Sequence, residues 1–387
     1  MNAPSPLSWT ENDTSRTALW RSDQVMPKHV VLADDTLSAD TAYRLACAGT
    51  GLLWRGDFQN ARQMLQALTR RIDKPKKARP QKSNGDAPVL PGAAFHLHRQ
   101  AQAQRTRVLS QVLVELSADY RIDLRRAPDV HAACVQAFGP SNGQNSVVSL
   151  RSLQGVIGAF EWRKNGVAVP AMGEALRIYP HYGVFSPVRG EYIDLVTQAP
   201  LPPAFAADPV AFDIGVGTGV LSAVLARRGA KKVIGTDLSE RALACALDNL
   251  QRLGLQNQVQ LLQTHLFPPG QAPLVVCNPP WLPARPTSVL EQAVYDEGSQ
   301  MLKGFLQGLP MHLSPGGEGW LILSDLAEHL GLRSREALLG WIADAGLQVL
   351  GRLDVKPVHG KAQDRTDPLH AARAAEVTSL WRLGVAG

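Results

Sequence analysis

The sequence predicts an α/β protein whose C-terminal half is a doubly wound, mostly parallel sheet, preceded by a mainly helical N-terminal domain and a β-hairpin. From residue 210 onward, strand-like and helix-like segments alternate. A glycine-rich turn follows the first of these strands, and an acidic residue ends the second. Such alternation is typical of a parallel sheet, because each helix returns the chain to the same edge. The seven expected strands are 210–215, 232–237, 259–264, 274–278, 319–324, 347–355 and 376–383.

Residues 1–145 predict the mainly helical domain. The first 35 residues have the mixed polar character of a loose arm or a short helix, whereas apolar residues recur at helical intervals over 38–69 and 93–136. Between them, residues 70–92 are basic, as in a flexible solvated loop or in a segment that contacts nucleic-acid phosphates. This segment has no aromatic residue to stack on a base, which favours the loop.

A β-hairpin connector is expected over residues 146–185. Short apolar runs at 146–150, 156–162 and 167–169 fit strands. Asn165-Gly166 between the last two runs is the dipeptide favoured in two-residue hairpin turns. The α/β domain is then expected to span 186–387.

The composition predicts a two-domain cytoplasmic protein. Its 387 residues are 45% hydrophobic, which is enough for two cores. The four cysteines form no Cys-x-x-Cys pair, which favours reduced thiols, and no metal site is predicted. The N-terminus has no signal-peptide pattern and no apolar run reaches the length of a membrane span, so no membrane partner is expected. The net charge of +6 is compatible with an RNA or ribosomal partner and equally with an ordinary enzyme.

The glycine-rich turn predicts a site for a nucleotide-like cofactor. Asp213-Ile-Gly-Val-Gly-Thr-Gly219 follows the first strand of the alternating region and precedes a helix. Glycines let the backbone turn tightly and approach a ligand closely, but the spacing differs from the G-x-G-x-x-G of dinucleotide enzymes. Asp237 ends the next strand, where a carboxylate can bind both hydroxyls of a ribose. A generic nucleotide-binding α/β protein is the alternative at this point.

The Asn-Pro-Pro-Trp stretch predicts a site for a planar group that carries an NH2. A buried strand, Val275-Val-Cys277, stops at Asn278, Pro279, Pro280 and Trp281. Proline has a fixed φ and no N–H, so the Pro279 carbonyl and the Asn278 side-chain oxygen are both available to accept bonds from a ligand. Two acceptors beside the flat face of Trp281 suit an amide or the exocyclic amine of a base.

Together these motifs resemble those of class I S-adenosylmethionine-dependent methyltransferases. Asp213 to Gly219 matches the cofactor loop of that family, Asp237 matches its ribose-binding acid, and Asn278-Pro-Pro-Trp281 matches the signature of its amine- and amide-methylating branch. The resemblance covers about residues 155–385. It implies that the last strand of the sheet is antiparallel and that 186–387 form the cofactor-binding catalytic domain.

Within that branch the chain is similar to the release-factor glutamine methyltransferases. The similarity includes Gly158-Ala-Phe-Glu-Trp162 and Gly183-Val-Phe-Ser-Pro-Val-Arg-Gly-Glu191. The resemblance implies S-adenosyl-L-methionine as the cofactor, and it implies two sets of residues. The implied cofactor residues are Asp213, Gly215, Gly217, Thr218, Gly219, Asp237, Leu238, His265, Leu266, Asn278, Phe185 and Arg189. The implied catalytic residues are Asn278, Pro279, Pro280 and Trp281.

Three positions depart from the family pattern. Ser186-Pro-Val-Arg-Gly-Glu191 replaces a usual Pro-Arg-Pro-(Glu/Asp), Trp281 replaces a usual Tyr, and Thr264-His-Leu-Phe267 lacks the acidic residue that often meets the adenine amine. The histidine of the last segment could line the adenine pocket or merely end a strand. Arg189 and Glu191 could close over the cofactor or form a surface ion pair.

The expected function is methyl transfer to a planar amide or amine. One possible acceptor is a glutamine of a protein partner, a translation factor or ribosomal protein, and the other is an exocyclic amine of rRNA or DNA. The hairpin and the domain order favour the protein, whereas the basic 70–82 segment favours nucleic acid. A non-catalytic cofactor-binding module is a third reading, which the intact Asn278-Pro-Pro argues against, and the glycine spacing disfavours a nicotinamide dehydrogenase. The oligomeric state stays open.

Overall fold

The computed structural model of the protein describes residues 5–74, 92–173, 176–187, 190–286, 290–357 and 364–387. The chain divides into two compact units, one of Met1–Leu90 and His96–Glu161 and the other of Pro91–Phe95 and Trp162–Gly387. Residues 162–185, predicted as part of the connector, therefore cluster with the second unit.

A six-stranded sheet forms the centre of the N-terminal unit, so the prediction of a mainly helical domain is wrong. The strands are β1 (Pro6–Glu11), β2 (Thr14–Trp20), β3 (His29–Ala33), β4 (Thr50–Trp54), β5 (Val112–Leu116) and β6 (Ser146–Ser149). They lie in the order β1-β2-β6-β5-β4-β3, and β3, β4 and β5 are parallel. The helices of this part of the chain are α1 (Ala39–Cys47), α2 (Phe58–Asp73), α3 (Ala93–Leu109), α4 (His131–Phe138) and α5 (Leu150–Asn165).

Short apolar runs explain the wrong prediction. Leu52-Leu-Trp54 and Val112-Leu-Val114 fit a helical repeat as well as they fit a buried strand, because a short continuous run has no periodicity that separates the two. Both runs are buried, in β4 and β5. Gly49, with a φ of +84°, follows α1 and reverses the chain into β4. Near the N-terminus, Asn12 and Asp13 both have positive φ and form the tight turn between β1 and β2.

The connector differs from its prediction in a similar way. Residues 156–162 lie inside α5, and Gly166, with a φ of +67°, follows the last residue of that helix. A two-stranded antiparallel pair does follow, formed by β7 (Val167–Ala168) and β8 (Arg177–Ile178). A residue with left-handed backbone angles occurs at the C-terminal end of a helix as readily as in a hairpin turn. The Asn-Gly dipeptide alone therefore does not separate the two structures.

The predicted basic loop 70–92 falls mostly on residues 75–91, which lie outside the described residues. Residues 70–73 form the last turn of α2. There, Nε of Arg71 donates to Asp40 at 2.9 Å. This arginine is thus paired with a carboxylate of its own unit.

A seven-stranded sheet forms the centre of the C-terminal unit and confirms the predicted fold class. Its strands are β9 (Val210–Ile214), β10 (Lys232–Asp237), β11 (Val259–Gln263), β12 (Ala272–Cys277), β13 (Leu313–Ser324), β14 (Leu347–Val355) and β15 (Thr378–Val385). The order is β11-β10-β9-β12-β13-β15-β14. The first five strands of this order are parallel, and β15 is antiparallel to both of its neighbours.

Helices pack on the two faces of this sheet. The helices described in this unit are α6 (Glu191–Gln198), α7 (Pro203–Ala207), α8 (Val220–Arg227), α9 (Glu240–Arg252), α10 (Gln300–His312), α11 (Leu326–His329), α12 (Arg335–Asp344) and α13 (His370–Ala375). Of these, α11 and α13 pack against each other and the rest contact the strands. Two separate 3-10 turns, Leu290–Ala293 and Glu297–Ser299, precede α10. One buried cluster includes Val224, Val276 and Trp320, and the other includes Phe212, Val275 and Phe305. Within the described part of the chain, no helix combines the length and the apolarity needed to traverse a bilayer.

Candidate active site

The glycine loop, Asp237 and the Asn-Pro-Pro turn leave the sheet side by side. Ile214 at the end of β9 pairs with Thr236 of β10 on one side and with Cys277 of β12 on the other. Gly215, Asp237 and Asn278 are the next residues along these three parallel strands. In open α/β sheets, ligands bind at the carboxyl edge where the strand order reverses, and β9 lies at that point. Residues that are far apart in sequence therefore meet at one edge.

The glycine loop has a backbone that glycine adopts most readily. Gly215, Gly217 and Gly219 have φ angles of +81°, +52° and +80°. The N–H of Gly215 donates to the carbonyl of Thr236 at 2.9 Å, which ties the loop to β10. A Cβ at Gly219 would lie 3.2 Å from Cα of Ala246. A side chain at Gly219 would thus push α8 away from α9 and open the loop.

Asp237 closes the other side of this loop. Its Oδ2 accepts a hydrogen bond from the N–H of Gly217 at 3.1 Å, and its Oδ1 accepts from the N–H of Ser239 at 2.9 Å. Burial raises the pKa of this carboxyl in spite of these bonds. Leu238, the next residue, is 62% exposed. A carboxylate beside an exposed apolar side chain suits a ligand that has hydroxyl groups next to a flat apolar part.

Asp213 lies two residues before the glycine loop and is buried, with 1% of its surface exposed. Its Oδ2 accepts a hydrogen bond from Oγ of Ser222 at 2.6 Å, whereas its Oδ1 has no hydrogen-bond partner among the described residues. Burial raises the pKa of Asp213 to about 6, and the bond from Ser222 opposes the shift. A buried anionic oxygen is stabilised by a cation, so this position has the chemistry to hold an ammonium group.

The Asn-Pro-Pro turn brings the chain from a buried strand toward the surface, although Pro279 is itself buried. Every residue of β12 is buried, whereas Asn278 and Trp281 are half-buried. Nε1 of Trp281 donates to Oδ1 of Asn278 at 2.9 Å. The Trp281 ring also packs against the buried cluster on each face of the sheet. The edge of the Trp281 ring that carries Nε1 therefore belongs to the candidate site, as well as the flat face of the ring.

Residues 204–306 match the family of ribosomal protein L11 methyltransferases (PrmA). The release factor glutamine methyltransferase of Cereibacter sphaeroides is 31% identical over 167 residues, which are 39% of this chain and 56% of that protein. The release factor glutamine methyltransferase of Caulobacter vibrioides is 42% identical over 86 residues, which are 21% of this chain and 30% of that protein. The solved structure of a ribosomal protein L11 methylase from Lactobacillus delbrueckii subsp. bulgaricus has a TM-score of 0.35 at 17% identity, over 53% of this chain and 82% of that chain.

The family match and the two release factor glutamine methyltransferases confirm the resemblance to methyltransferases that the motifs indicate. The segment that matches the L11 methyltransferase family contains the glycine loop, Asp237 and the Asn-Pro-Pro turn. The chain spans little more than half the length of the Cereibacter relative and under a third of the Caulobacter relative.

The end of β11 supplies a strained backbone to the same edge of the methyltransferase-like sheet. Leu266 has a φ of +60°, which is uncommon for a residue with a side chain. Its carbonyl accepts a hydrogen bond from Oγ1 of Thr236 at 2.5 Å. His265 is exposed. The predicted adenine-lining roles of His265 and Leu266 stay predictions. Within the described ranges, no group of three or more His, Cys, Asp or Glu side chains could hold a metal ion.

The segment that the resemblance expects to close over the cofactor is described in part. Phe185 is 39% exposed, and Glu191 is the first residue of α6. Arg189 lies outside the described residues. The closing roles of Phe185 and Arg189 therefore stay predictions.

Asn249 on α9 links Tyr179, the residue after β8, to the glycine loop and belongs to no recognisable motif. Its Oδ1 accepts from the N–H of Tyr179 at 2.7 Å, and its Nδ2 donates to the carbonyl of Thr218 at 3.0 Å. Asn249 and Thr218 are both buried, and a buried amide that is bonded at both ends holds both partners in place. The one available signal is a polar residue on the apolar face of an amphipathic helix, beside Cys245 and Ala246.

Asp296 fixes the exit of the Asn-Pro-Pro turn and also escapes sequence reasoning. Its carboxylate accepts from the N–H groups of Met301 and Leu302 at 3.0 and 3.1 Å, at the start of α10. Its own N–H donates to the carbonyl of Leu282 at 2.9 Å. Met301 lies against the glycine loop, because a Cβ at Gly215 would be 2.8 Å from its Cε. The start of α10 therefore supports both the Asn-Pro-Pro turn and the glycine loop.

Proposed function

We propose that the chain is an S-adenosylmethionine-dependent N-methyltransferase that acts on the side-chain nitrogen of a protein glutamine. One observation carries the proposal: Asn278 and Gly215 follow paired residues of neighbouring parallel strands. A nitrogen bound by Asn278 would therefore face a ligand bound by the glycine loop. Relatives named release factor glutamine methyltransferase and ribosomal protein L11 methyltransferase support a protein acceptor.

The described residues fit S-adenosylmethionine. The unsatisfied Oδ1 of Asp213 matches an ammonium group, Asp237 matches two ribose hydroxyls, and the exposed Leu238 matches a flat base. Gly217 leaves room for a ligand against the backbone, because a Cβ there would lie 3.9 Å from the carbonyl oxygen of Gly215 and meet nothing closer. When bound, this cofactor supplies a methyl group that the positive charge on its sulfur activates.

The Asn-Pro-Pro turn would position the acceptor. The side-chain oxygen of Asn278 and the carbonyl of Pro279 would accept the two N–H bonds of a primary amide, which points the nitrogen toward the glycine loop. The same oxygens would stabilise the positive charge that develops on the nitrogen during transfer. Pro280 keeps the turn stiff, because its φ is fixed. No separate general base is proposed: the sulfur keeps the electron pair of the broken carbon–sulfur bond, and the methylated nitrogen then loses one proton to water.

The same two oxygens would also serve the exocyclic amine of a base in rRNA or DNA, which is the alternative acceptor. Most of the basic segment that favours this alternative lies outside the described residues. We also propose a cytoplasmic location, since the four cysteines are free thiols and the relatives are named for proteins of translation.

The purified chain, incubated with methyl-labelled S-adenosylmethionine and a bacterial lysate, tests the proposal. Label is expected in the protein fraction and, after digestion, on a glutamine side chain located by mass spectrometry. Label confined to RNA or DNA would establish the alternative acceptor. Binding of the cofactor without any label transfer would instead indicate a non-catalytic cofactor-binding module.

A further inference from the structure

We infer that the indole N–H of Trp281 is a positioning group that fixes which end of the Asn278 amide faces the methyl acceptor. This inference rests on the proposed function. An indole nitrogen can only donate, so the atom 2.9 Å from Nε1 of Trp281 must be the amide oxygen of Asn278. The oxygen and nitrogen of an amide have nearly the same shape, so shape alone would not choose between the two orientations.

The donor itself is held in place from two sides. The Trp281 ring packs against both buried clusters of the C-terminal unit. The next residue, Leu282, donates its N–H to the carbonyl of Val294 at 3.2 Å and accepts from the N–H of Asp296 at 2.9 Å. The side-chain bond therefore closes a four-residue turn that contains two prolines and whose exit is anchored. A donor with so little freedom selects one orientation of the amide before the acceptor arrives.

The selected orientation is the one that the chemistry needs. An amide oxygen has two lone pairs. Trp281 takes one, and the other stays available to an N–H of the acceptor. Without the indole N–H, the amide of Asn278 can turn over and present its own NH2 to the acceptor's NH2, where two donors face each other and no bond forms. A phenyl ring at position 281 would keep much of the packing but would have no donor at this edge.

A non-hydrogen-bonding isostere separates the donor from the ring. Replacing Trp281 with β-(3-benzothienyl)alanine keeps the shape of the indole and puts sulfur in place of N–H, and Trp281→Phe removes the donor by ordinary mutagenesis. We expect kcat to fall about tenfold in both, the usual size of one hydrogen bond, with the cofactor Kd and the acceptor KM unchanged. The free isostere protein also lacks this bond, so its thermal midpoint should fall by no more than a few degrees. The matched control is the same isostere at Trp162, which is 55% exposed on α5 and should leave kcat unchanged.

The outcomes separate this inference from the function on which it rests. An isostere at position 281 with the full kcat would overturn the positioning role, even if Asn278→Ala abolishes transfer as proposed. Unchanged turnover in Asn278→Ala would instead overturn the proposed function. A fall in kcat accompanied by an equal rise in the cofactor Kd would mean that the ring supports the cofactor site, which also overturns the inference.

Discussion

Each unit of the molecule carries a buried aspartate beside a parallel strand, and the two aspartates are bonded differently. In the N-terminal unit, Asp57 follows β4, accepts the N–H of Gln59 at 2.9 Å as the N-cap of α2, and accepts Nε of Arg126 at 2.7 Å. In the C-terminal unit, Asp213 accepts one hydrogen bond and keeps Oδ1 without a partner in the described structure. The bond from Arg126 lowers the pKa of Asp57, whereas burial raises that of Asp213 to about 6.

The difference teaches that parallel strands and an acid near the edge do not make a ligand site. Both oxygens of Asp57 are used by its own unit to begin a helix and to hold an arginine. Oδ1 of Asp213 can still accept a hydrogen bond. Because this oxygen is buried, leaving it without a partner costs free energy. The unsatisfied carboxylate therefore supports the proposed cofactor site at the edge of the C-terminal sheet, and the following experiments test that contrast.

The largest effect is expected at Asn278. Asn278→Ala should lower single-turnover methyl transfer about a hundredfold or more, the range for removing a group that stabilises developing charge, while the cofactor Kd measured by calorimetry stays unchanged. Asp57→Asn is the matched variant in the other unit and should leave turnover unchanged. Equal losses in the two variants would remove the functional distinction between the units.

Asp237→Ala should act on cofactor affinity and not on the chemical step. Loss of charged hydrogen bonds to two hydroxyls should raise the Kd for S-adenosylmethionine about tenfold to a hundredfold. At saturating cofactor, turnover should return close to the unsubstituted value. Asp237 would be a structural residue only if calorimetry gave the same Kd for both proteins.

Asp213 should make cofactor binding depend on pH. Its folded pKa of about 6 lies above the ordinary value of 3.8, and a cationic ammonium group prefers the ionised carboxylate. The Kd should therefore rise about tenfold for each pH unit below 6 and be nearly flat above 7. Calorimetry from pH 5 to 8 on Asp213→Asn should give weaker binding without this slope. A slope of the same size in Asp213→Asn would assign it to another group.

The smallest effect is on the stability of the free protein, and it should have opposite signs in the two units. A raised carboxyl pKa costs the folded state nothing below the unfolded pKa, and the full cost is present above the folded pKa. For Asp213 this cost appears between pH 4 and 6 and amounts to at most about 3 kcal/mol. Asp213→Asn should therefore raise the thermal midpoint at pH 8 more than at pH 4, whereas Asp57→Asn should lower the midpoint at pH 8. A lower midpoint for both would contradict the contrast.

The sequence predicts the C-terminal sheet correctly because turn residues clearly mark where its strands and helices end. Turn residues separate its strands from helices with regular apolar spacing, and each predicted strand is present. In the N-terminal unit, the apolar runs of β4 and β5 are too short to show a period. In the predicted connector, Gly166 follows the end of a helix where it could equally have formed a hairpin turn. The local sequence pattern does not decide whether such a segment forms a helix or a strand, because that depends on the residues with which it packs and pairs.

The residues of the candidate site also divide into those that the sequence predicts and those that it does not. Its three motifs were predicted, because each combines unusual residues over a few positions. Asn249 and Asp296 were not, since a single polar residue carries no pattern and Asn249 bonds to a backbone 70 residues away. The bond between Trp281 and Asn278 was also missed. The sequence contains both residues but not the direction of the amide.

The strand β15 has a consequence for how the protein is made. It is formed by Thr378–Val385, yet it lies inside the sheet, paired with β13 on one side and with β14 on the other. The ribosome therefore releases β14 before the strand that must separate it from β13 exists. Until residues 378–385 emerge, the apolar edge of β13 is open to incorrect pairing with any extended chain nearby. A chain truncated before Thr378 would leave that edge of β13 without its partner.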